Sequence, residues 1–356
     1  MADFPNLNIY LIIFLKYEAY EQGEQGLKMK FLKAIGLFSG GLDSALAIKL
    51  VQKQGIDVIA LNFVSPFCTC IGKGCSIVDL AKKLNVPIKL MNKGKDYLKI
   101  IRHPKHGYGK NINPCIDCKI YILKKAKEYA KKIRAKFIFT GEVLGQRPMS
   151  QHYKTLMLIE KEAGLKGKLV RPLCAKLMPE TEAEKKGWID RKKLLKFEGR
   201  TRVPQIDLAK KYKIDGFMCG GSGCRLTDKE YSKKVIDLFK HKKRIDIQDA
   251  KLLNFGRHFR IDNSKIIVGR NEFENKNLLE LKRRSDYFFE VPDSGSPIAL
   301  LQGKGKKLIE FAAKLTAAYS DADSKKVLVK YGKKKLSKNI AVQQISKEKV
   351  RKYLIN

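Results

Sequence analysis

A buried strand that runs into a glycine turn and straight out into a helix restricts the fold of this chain more than any other feature. AIGLF (34–38) is apolar throughout, SGG (39–41) follows, and LDSALAIKLVQK (42–53) carries its apolar residues at helical spacing. An apolar run without polar alternation predicts a strand covered on both faces. The same grammar recurs downstream. DVIALNFV reads as a second strand, IVDLAKKLN as a helix and PIKLM as a third strand. KIYILKKAKEYAKKIR then reads as a long amphipathic helix and AKFIFTGE as a fourth strand. Strands alternating with helices predict an α/β fold with a parallel sheet and right-handed crossovers. Ligands of such sheets bind beyond the carboxyl ends of the strands, where SGG and TGE lie.

The segment SGGLDS, Ser39 to Ser44, has the chemistry of an anion cradle. Gly40 and Gly41 remove side chains where backbone must approach a charged group, and the helix opening at Leu42 points free N–H groups and its positive dipole end at that group. Ser39 and Ser44 add hydroxyl donors. Asp43 beside a phosphate would repel it without a cation, so its expected role is to hold Mg²⁺. A plain helix cap would explain one acidic residue but not two glycines at the end of a buried strand.

The cysteines form the second constellation. NPCIDCK places Cys115 and Cys118 three residues apart at the start of the long helix, so both thiols can face one ligand. CGGSGC places Cys219 and Cys224 on a glycine-rich loop, and FCTCIGKGC places Cys68, Cys70 and Cys75 after the second strand. Cys174 reads as core. No secretory signal is evident, so a disulfide framework is not expected. In a reducing, cytoplasmic setting clustered thiols point to metal ligation, an iron–sulfur site or sulfur transfer. If Cys224 joins Cys115 and Cys118, three thiolates can hold a [4Fe–4S] cluster with one iron open. Alternatively, one cysteine carries a persulfide and another resolves it.

Charge narrows the partner. Lys plus Arg number 74 against 36 Asp plus Glu, a formal net charge of +38 over 356 residues. Such an excess fits a polyanion such as nucleic acid, although a compositional preference for Lys would contribute as well. The apolar run Leu7 to Leu15 is too short to span a bilayer and lacks a basic lead-in and a cleavage site, so no membrane role is expected. Met29 opens the strand–turn–helix unit, and residues 1–28 read as an extension outside the fold. The expected organisation is a nucleotide domain over 29–168, a less regular connecting segment over 169–245 that completes the active site, and a small α+β domain over 246–356. In that last domain FRID, KIIVG, YFFEV and PIALL read as strands, and Glu272 to Leu281 and Lys306 to Tyr319 as helices. YGKKKLSKN reads as a phosphate-contacting strip or a solvated loop.

SGGLDS resembles the SGGxDS signature of the PP-loop ATP pyrophosphatases, which cleave ATP to AMP and pyrophosphate while adenylating a carbonyl oxygen. Together with NPCxxC, TGEVLGQRPMSQ, EGRTR and GCRLTD it is similar to the thiouridine synthetase-like group related to the tRNA 2-thiouridylases and 4-thiouridine synthetases, over about Lys33 to Phe239. The resemblance implies ATP at Ser39, Gly40, Gly41, Leu42, Asp43, Ser44, Thr140 and Gly141. It implies catalytic roles for Asp43, Cys115, Cys118 and Cys224, and a donor that supplies sulfur. Cys224 is the matching cysteine of the CGGSGC loop and Cys219 is extra. Gln146, Arg147, Arg200 and Arg202 are then placed to reach RNA. IIVGRNEFENKNLLELKRRSDYFFEV, within about His258 to Lys330, resembles the RNA-binding domain of NFACT proteins, which makes Arg270 a further RNA candidate. The implied activity is ATP-dependent tRNA thiolation. The competing readings are an RNA- or ribosome-binding protein whose PP-loop only senses nucleotide, and a PP-loop ligase acting on a small metabolite. On the charge alone, tRNA affinity should fall linearly in log–log form with salt, by about 10³-fold or more between 50 and 200 mM if six or more phosphates are neutralised. Filter binding across a salt series measures the slope, and a flat line would remove the polyanion argument.

Overall fold

The structure, a computed structural model, describes residues 32–69, 77–217 and 223–355. The extension read over residues 1–28, and Cys70, Cys75 and Cys219, lie outside the described residues. The chain divides into two units. Among the described residues the first holds 32–64, 77–93 and 115–217, and the second holds 65–69, 94–114 and 223–355.

In chain order the first part runs β1 (Lys33–Leu37), α1 (Leu42–Gln52), β2 (Asp57–Val64), α2 (Ile77–Lys83), β3 (Ile88–Asn92), α3 (Lys95–Arg102), α4 (Cys115–Lys132), β4 (Phe137–Thr140), α5 (Tyr153–Ala163), β5 (Leu169–Val170), α6 (Glu182–Lys185) and α7 (Val203–Lys211). Of these, α3 belongs to the second unit. The five strands form one sheet in the order β3-β2-β1-β4-β5, and every pairing is parallel. Successive strand residues serve opposite faces. Ala34, Ala60 and Phe139 join the core shared with α1 and α7, while Ile35, Leu61 and Ile138 join the core shared with α4 and α5. Both faces are therefore covered, as the unbroken apolar runs require. Fully burying a side chain of the Leu or Ile kind is worth roughly 1.5–3 kcal/mol. Gly36 pairs with Phe139, and a Cβ at Gly36 would lie 2.5 Å from the Phe139 ring, so the bulk of one strand fills the gap left by the other.

The chain leaves β1 towards β2 and β3, then returns to the other side of β1 as β4. This reversal opens a crevice at the carboxyl ends of β1 and β4, the place where such sheets bind ligands.

The second unit adds α8 (Lys229–His241), α9 (Ile247–Leu252), β6 (Arg257–Ile261), β7 (Ser264–Val268), α10 (Glu272–Leu281), β8 (Tyr287–Glu290), β9 (Ala299–Gln302), α11 (Lys306–Ala318), β10 (Lys326–Gly332), β11 (Lys338–Gln343) and α12 (Lys347–Arg351). Its six strands form an antiparallel sheet in the order β11-β10-β8-β9-β7-β6. Residues of α11 pack on one face with Phe259, Ile266, Phe289 and Val329, and residues of α9 and α10 pack on the other with Ile267 and Leu300. The strands and helices expected from the sequence are present. The Lys-rich segment YGKKKLSKN is the tip of a β-hairpin, joining the end of β10 to the start of β11. Val327 and Val329 point inward and Lys326 outward; the frequent lysines hid this two-residue alternation. The connecting segment is also more ordered than expected, since it supplies β5, α7 and α8. Among the described residues no helix is long and apolar enough to cross a membrane.

A buried ionic network closes the first sheet beside the crevice. Glu142, two residues past β4, meets Arg171 Nε at 3.0 Å and Lys119 of α4, and Arg171, one residue past β5, also meets Glu160 of α5. Burial alone would raise the Glu142 carboxyl, but the Lys119 ammonium and the Arg171 guanidinium more than offset it and hold the carboxyl at about 2 instead of 4.5. Depression of the folded pKa means that this stabilisation is complete above about pH 4.5 and is lost as the pH falls towards 2. Its size is about 3 kcal/mol. Wild-type stability should therefore drop steeply between these limits. Glu142→Gln should lose about 3–5 kcal/mol at neutral pH, because Arg171 stays buried and Lys119 half-buried, and its stability should change less across the acid window. Urea unfolding at a series of pH values measures both, and parallel acid profiles would show that the network carries no such load.

Candidate functional site

The phosphate-type loop is built by the end of β1. Gly40 has φ 77°, a left-handed conformation that glycine adopts without strain, and it turns the chain sharply off the strand. Gly41 is the N-cap of α1 in extended backbone and supplies no side-chain cap to the helix. The first N–H groups of α1 are therefore not spent on a capping side chain, which is the arrangement that receives an anion. Ser44 donates to the Gly41 carbonyl at 2.8 Å and stands 3.3 Å from the Ser39 hydroxyl, fixing the loop from within.

Asp43 faces two ways. Its Oδ2 accepts from Arg202 at 3.1 Å, and its Oδ1 is buried without a hydrogen-bond partner. A buried, unpaired carboxylate oxygen beside an anion cradle is suited to a hard cation, so the residues present fit Mg²⁺. The other wall of the crevice comes from β4. A Cβ on Gly141 would lie 2.5 Å from the Asp43 carbonyl oxygen and 2.6 Å from the Ser44 nitrogen, so the backbone of the TGE turn rests directly on the first turn of α1. The Thr140 hydroxyl donates to Glu142 at 3.1 Å, tying the turn to the ionic network.

The structure also joins the segments holding the proposed RNA contacts of the first unit. Leu144 and Glu198 form a parallel bridge, and Gly199 N donates to the Leu144 carbonyl at 2.8 Å. Gln146 and Arg147 are thereby brought alongside Arg200 and Arg202. Arg147 and Arg200 are exposed, Gln146 is half-buried with its Nε2 unpartnered, and Arg202 is engaged on Asp43. In the second unit Arg270 binds Glu274, whose carboxylate also accepts from Gly256 N at 3.1 Å, while Asn271 caps α10 by accepting from Glu274 N at 2.9 Å. The GRN motif thus fixes a helix start.

Cys115 is the first residue of α4 and Cys118 lies one turn on, where Lys93 Nζ donates to its sulfur at 3.1 Å. Cys174 is fully buried, donates to the Glu142 carbonyl at 3.3 Å and is pushed up to about 11 by burial, an inert core thiol. Cys224 belongs to the second unit, half-buried, in an antiparallel bridge with Cys68. Cys68 is disulfide-bonded, a state that the expectation of reduced thiols did not include. Among the described residues no group of three or more His, Cys, Asp or Glu is assembled to hold a metal ion. Sequence reasoning missed the Glu142–Arg171–Glu160 network. Its signal was present in LVRPLC, where a lone arginine sits in an apolar run that ends a strand.

Residues 31–177 match the family described as "Thiamine biosynthesis protein (ThiI)", and residues 256–354 match the "NFACT protein RNA binding domain". The chain is 30% identical over 148 residues to a "Probable tRNA sulfurtransferase" of Thermococcus kodakarensis, covering 40% of this chain and 36% of that one. It is 31% identical over 125 residues to the tRNA-specific 2-thiouridylase MnmA of Leptospira biflexa, covering 31% and 33%. It therefore spans about a third of the length of these curated relatives. Among solved structures, the U34-tRNA thiolase NcsA from Methanococcus maripaludis with its [4Fe-4S] cluster aligns at 17% identity with a TM-score of 0.33, covering 68% of this chain and 77% of that one. One stretch of the chain is thus similar to ThiI proteins and a second to the NFACT RNA binding domain.

Proposed function

We propose that the chain is a tRNA sulfurtransferase that uses ATP to activate a uridine oxygen and then replaces that oxygen with sulfur. The observation that carries this reading is the uncapped start of α1 behind Ser39–Gly41, with the unpaired Asp43 oxygen beside it, on a domain whose relatives are named for tRNA thiolation. Gly41 has ordinary backbone and a Cβ there would meet only Ser39 Oγ at 3.5 Å, so the protein itself leaves room for a side chain. A phosphate lying on the loop would explain why none is there.

The uridine is flipped out of the RNA into the crevice at the ends of β1 and β4. Its carbonyl oxygen attacks the α-phosphorus of ATP; the new O–P bond forms, the bond to the bridging oxygen breaks, and pyrophosphate leaves. Backbone N–H groups from Gly40 to Ser44 and the hydroxyls of Ser39 and Ser44 receive the departing charge. Asp43 would hold Mg²⁺, which neutralises phosphate charge. Arg202 keeps the Asp43 carboxylate oriented. Gln146, Arg147 and Arg200 on the bridged segments contact RNA phosphates, and the second unit adds affinity. A sulfur nucleophile then forms the C–S bond at the activated carbon, and AMP leaves with the oxygen.

The sulfur-carrying thiols are Cys115, Cys118 and Cys224, loaded by a separate sulfane-sulfur donor. Three thiolates are a chemically suitable donor set for a [4Fe–4S] cluster. The sulfur step is drawn here through thiol chemistry, which these cysteines can supply by themselves. Anaerobically purified, active protein should contain far less than stoichiometric iron; four irons and four sulfides per chain, lost together with thiolation in Cys115→Ala, would establish the cluster route instead.

Asp43→Ala and Gly41→Val should each reduce tRNA-dependent pyrophosphate release at least 100-fold with the fold retained, the first by removing the cation ligand and the second by blocking the loop. Undiminished release in Asp43→Ala would sink the proposal. ATP binding without any pyrophosphate release by the wild type would point to a nucleotide-sensing RNA-binding protein. Mass spectrometry of tRNA nucleosides from cells lacking the gene identifies the thiolated uridine.

A further inference from the structure

Residues 94–114, one of the internal segments that the second unit draws in, form a short helix and a loop laid against α8. In α3 the apolar residues Tyr97, Leu98 and Ile101 are buried. Lys95, Lys99 and Arg102 recur at i, i+4 and i+7 and share the opposite face, with both lysines exposed. Arg102 fixes that face to the end of α8. Its Nη1 donates to the Lys243 carbonyl at 2.7 Å, its Nη2 donates to the Phe239 carbonyl, and its guanidinium lies 5.5 Å from the Phe239 ring. Carbonyls at a helix end carry partial negative charge, so they hold an arginine without a carboxylate. At the far end of the loop Asn111 Nδ2 donates to the Thr227 carbonyl at 2.7 Å, just ahead of the start of α8. The loop therefore spans the length of α8, a helix of 13 residues and about 20 Å.

Tyr108 lies within this loop. Gly107, at φ 71°, makes the left-handed turn before it. The Tyr108 hydroxyl donates to the Ile101 carbonyl at 2.7 Å and lies 3.1 Å from that of Arg102. The tip of the side chain is thus tied to the end of α3, while the residue stays 41% exposed. Charge on this surface is almost entirely of one sign. Asp96 is the single acidic residue between 94 and 114, and Phe239 to Arg244 holds none. Lys95, Lys110, Lys240, Lys243 and Arg244 are exposed, and none of them forms an ion pair among the described residues. Like charges gathered without acidic partners repel one another, and a polyanion relieves that repulsion.

We propose that this surface, from α3 through Tyr108 to the end of α8, binds a single-stranded stretch of RNA. The lysines and Arg244 take the phosphates, and the Tyr108 ring stacks on an unpaired base. The inference rests on RNA being the partner under the sulfurtransferase reading. It places a contact outside the 256–354 stretch that is similar to the NFACT domain. Cations interleaved with an aromatic ring suit a single strand, because every base offers a flat face. A duplex keeps its bases stacked on each other, so it would meet the cations and leave the ring idle. A ring already anchored at its hydroxyl gives up little freedom when a base settles on it.

The test measures binding of the full chain to a labelled oligouridylate, and to a blunt RNA duplex of the same length, by fluorescence anisotropy. Tyr108→Ala should weaken the single strand at least about fivefold and leave duplex affinity within about twofold. Tyr108→Phe, which keeps the ring and gives up the anchor, should recover most of the loss. Lys110→Ala and Lys243→Ala should each flatten the log–log salt dependence by about 0.7, the value for one phosphate contact on a single strand. Lys161→Ala, in the last turn of α5 in the first unit, serves as the charge control and should leave the slope unchanged. Unchanged single-strand affinity in Tyr108→Ala, or an equal loss on strand and duplex, overturns the proposal. Slopes that move no more in Lys110→Ala and Lys243→Ala than in the control overturn it as well. Wild-type protein that binds tRNA while these variants bind equally well loses this surface and keeps the sulfurtransferase reading. Strand binding that depends on Tyr108 in a protein that makes no thiouridine keeps the surface and loses that reading.

Discussion

The contact between the Gly141 backbone and the Asp43–Ser44 peptide sets the rest of the first unit. At a would-be Cβ distance of 2.5 Å from the Asp43 carbonyl oxygen it leaves no room for any side chain, so the end of β4 and the first turn of α1 form one rigid corner. That corner lies where the strand order reverses. The buried charges of Glu142, Arg171, Lys119 and Glu160 hold it from behind. An isolated charge at such a depth would be costly, whereas partnered charges fix geometry. Preorganised donors are useful only if they do not shift as charge moves in front of them.

Much of this architecture is legible in the chain because each strand of the first sheet is covered on both faces and so carries no polar alternation. The loop Ser39–Ser44 is legible for a different reason: Gly40 serves the left-handed turn, but Gly41 stands where nothing local needs a glycine except an approaching group. What escapes a linear reading is pairing. Arg202 stands out as a basic residue in EGRTR, but only the folded chain sets it 3.1 Å from Asp43, 159 positions earlier. Glu142 and Arg171 are visible separately, and their partnership depends on β5 lying next to β4. The hairpin of β10 and β11 was hidden because lysines dominate its exposed face, and composition there masks period.

Cysteine spacing shows the same limit. FCTCIGKGC and CGGSGC lie about 150 residues apart, and each is ambiguous alone, since a thiol cluster serves metal, redox and sulfur chemistry equally well. Two backbone hydrogen bonds, Thr69 to Gly223 and Arg225 to Phe67, place one member of each motif face to face.

The second unit draws residues 65–69 and 94–114 from inside the stretch of chain that also builds the first sheet. A ribosome releases these pieces long before α8 and Asn254, with which they pack. Phe67 and Tyr97, buried in the finished protein, therefore emerge without Tyr231 or Asn254 to cover them and remain uncovered until more than 120 further residues have been made. Those contacts are made by Tyr231 and Asn254, ahead of the 256–354 stretch that matches the NFACT domain. The order of synthesis therefore leaves residues 65–69 and 94–114 waiting on α8 and Asn254 rather than on the sheet whose strands surround them in sequence.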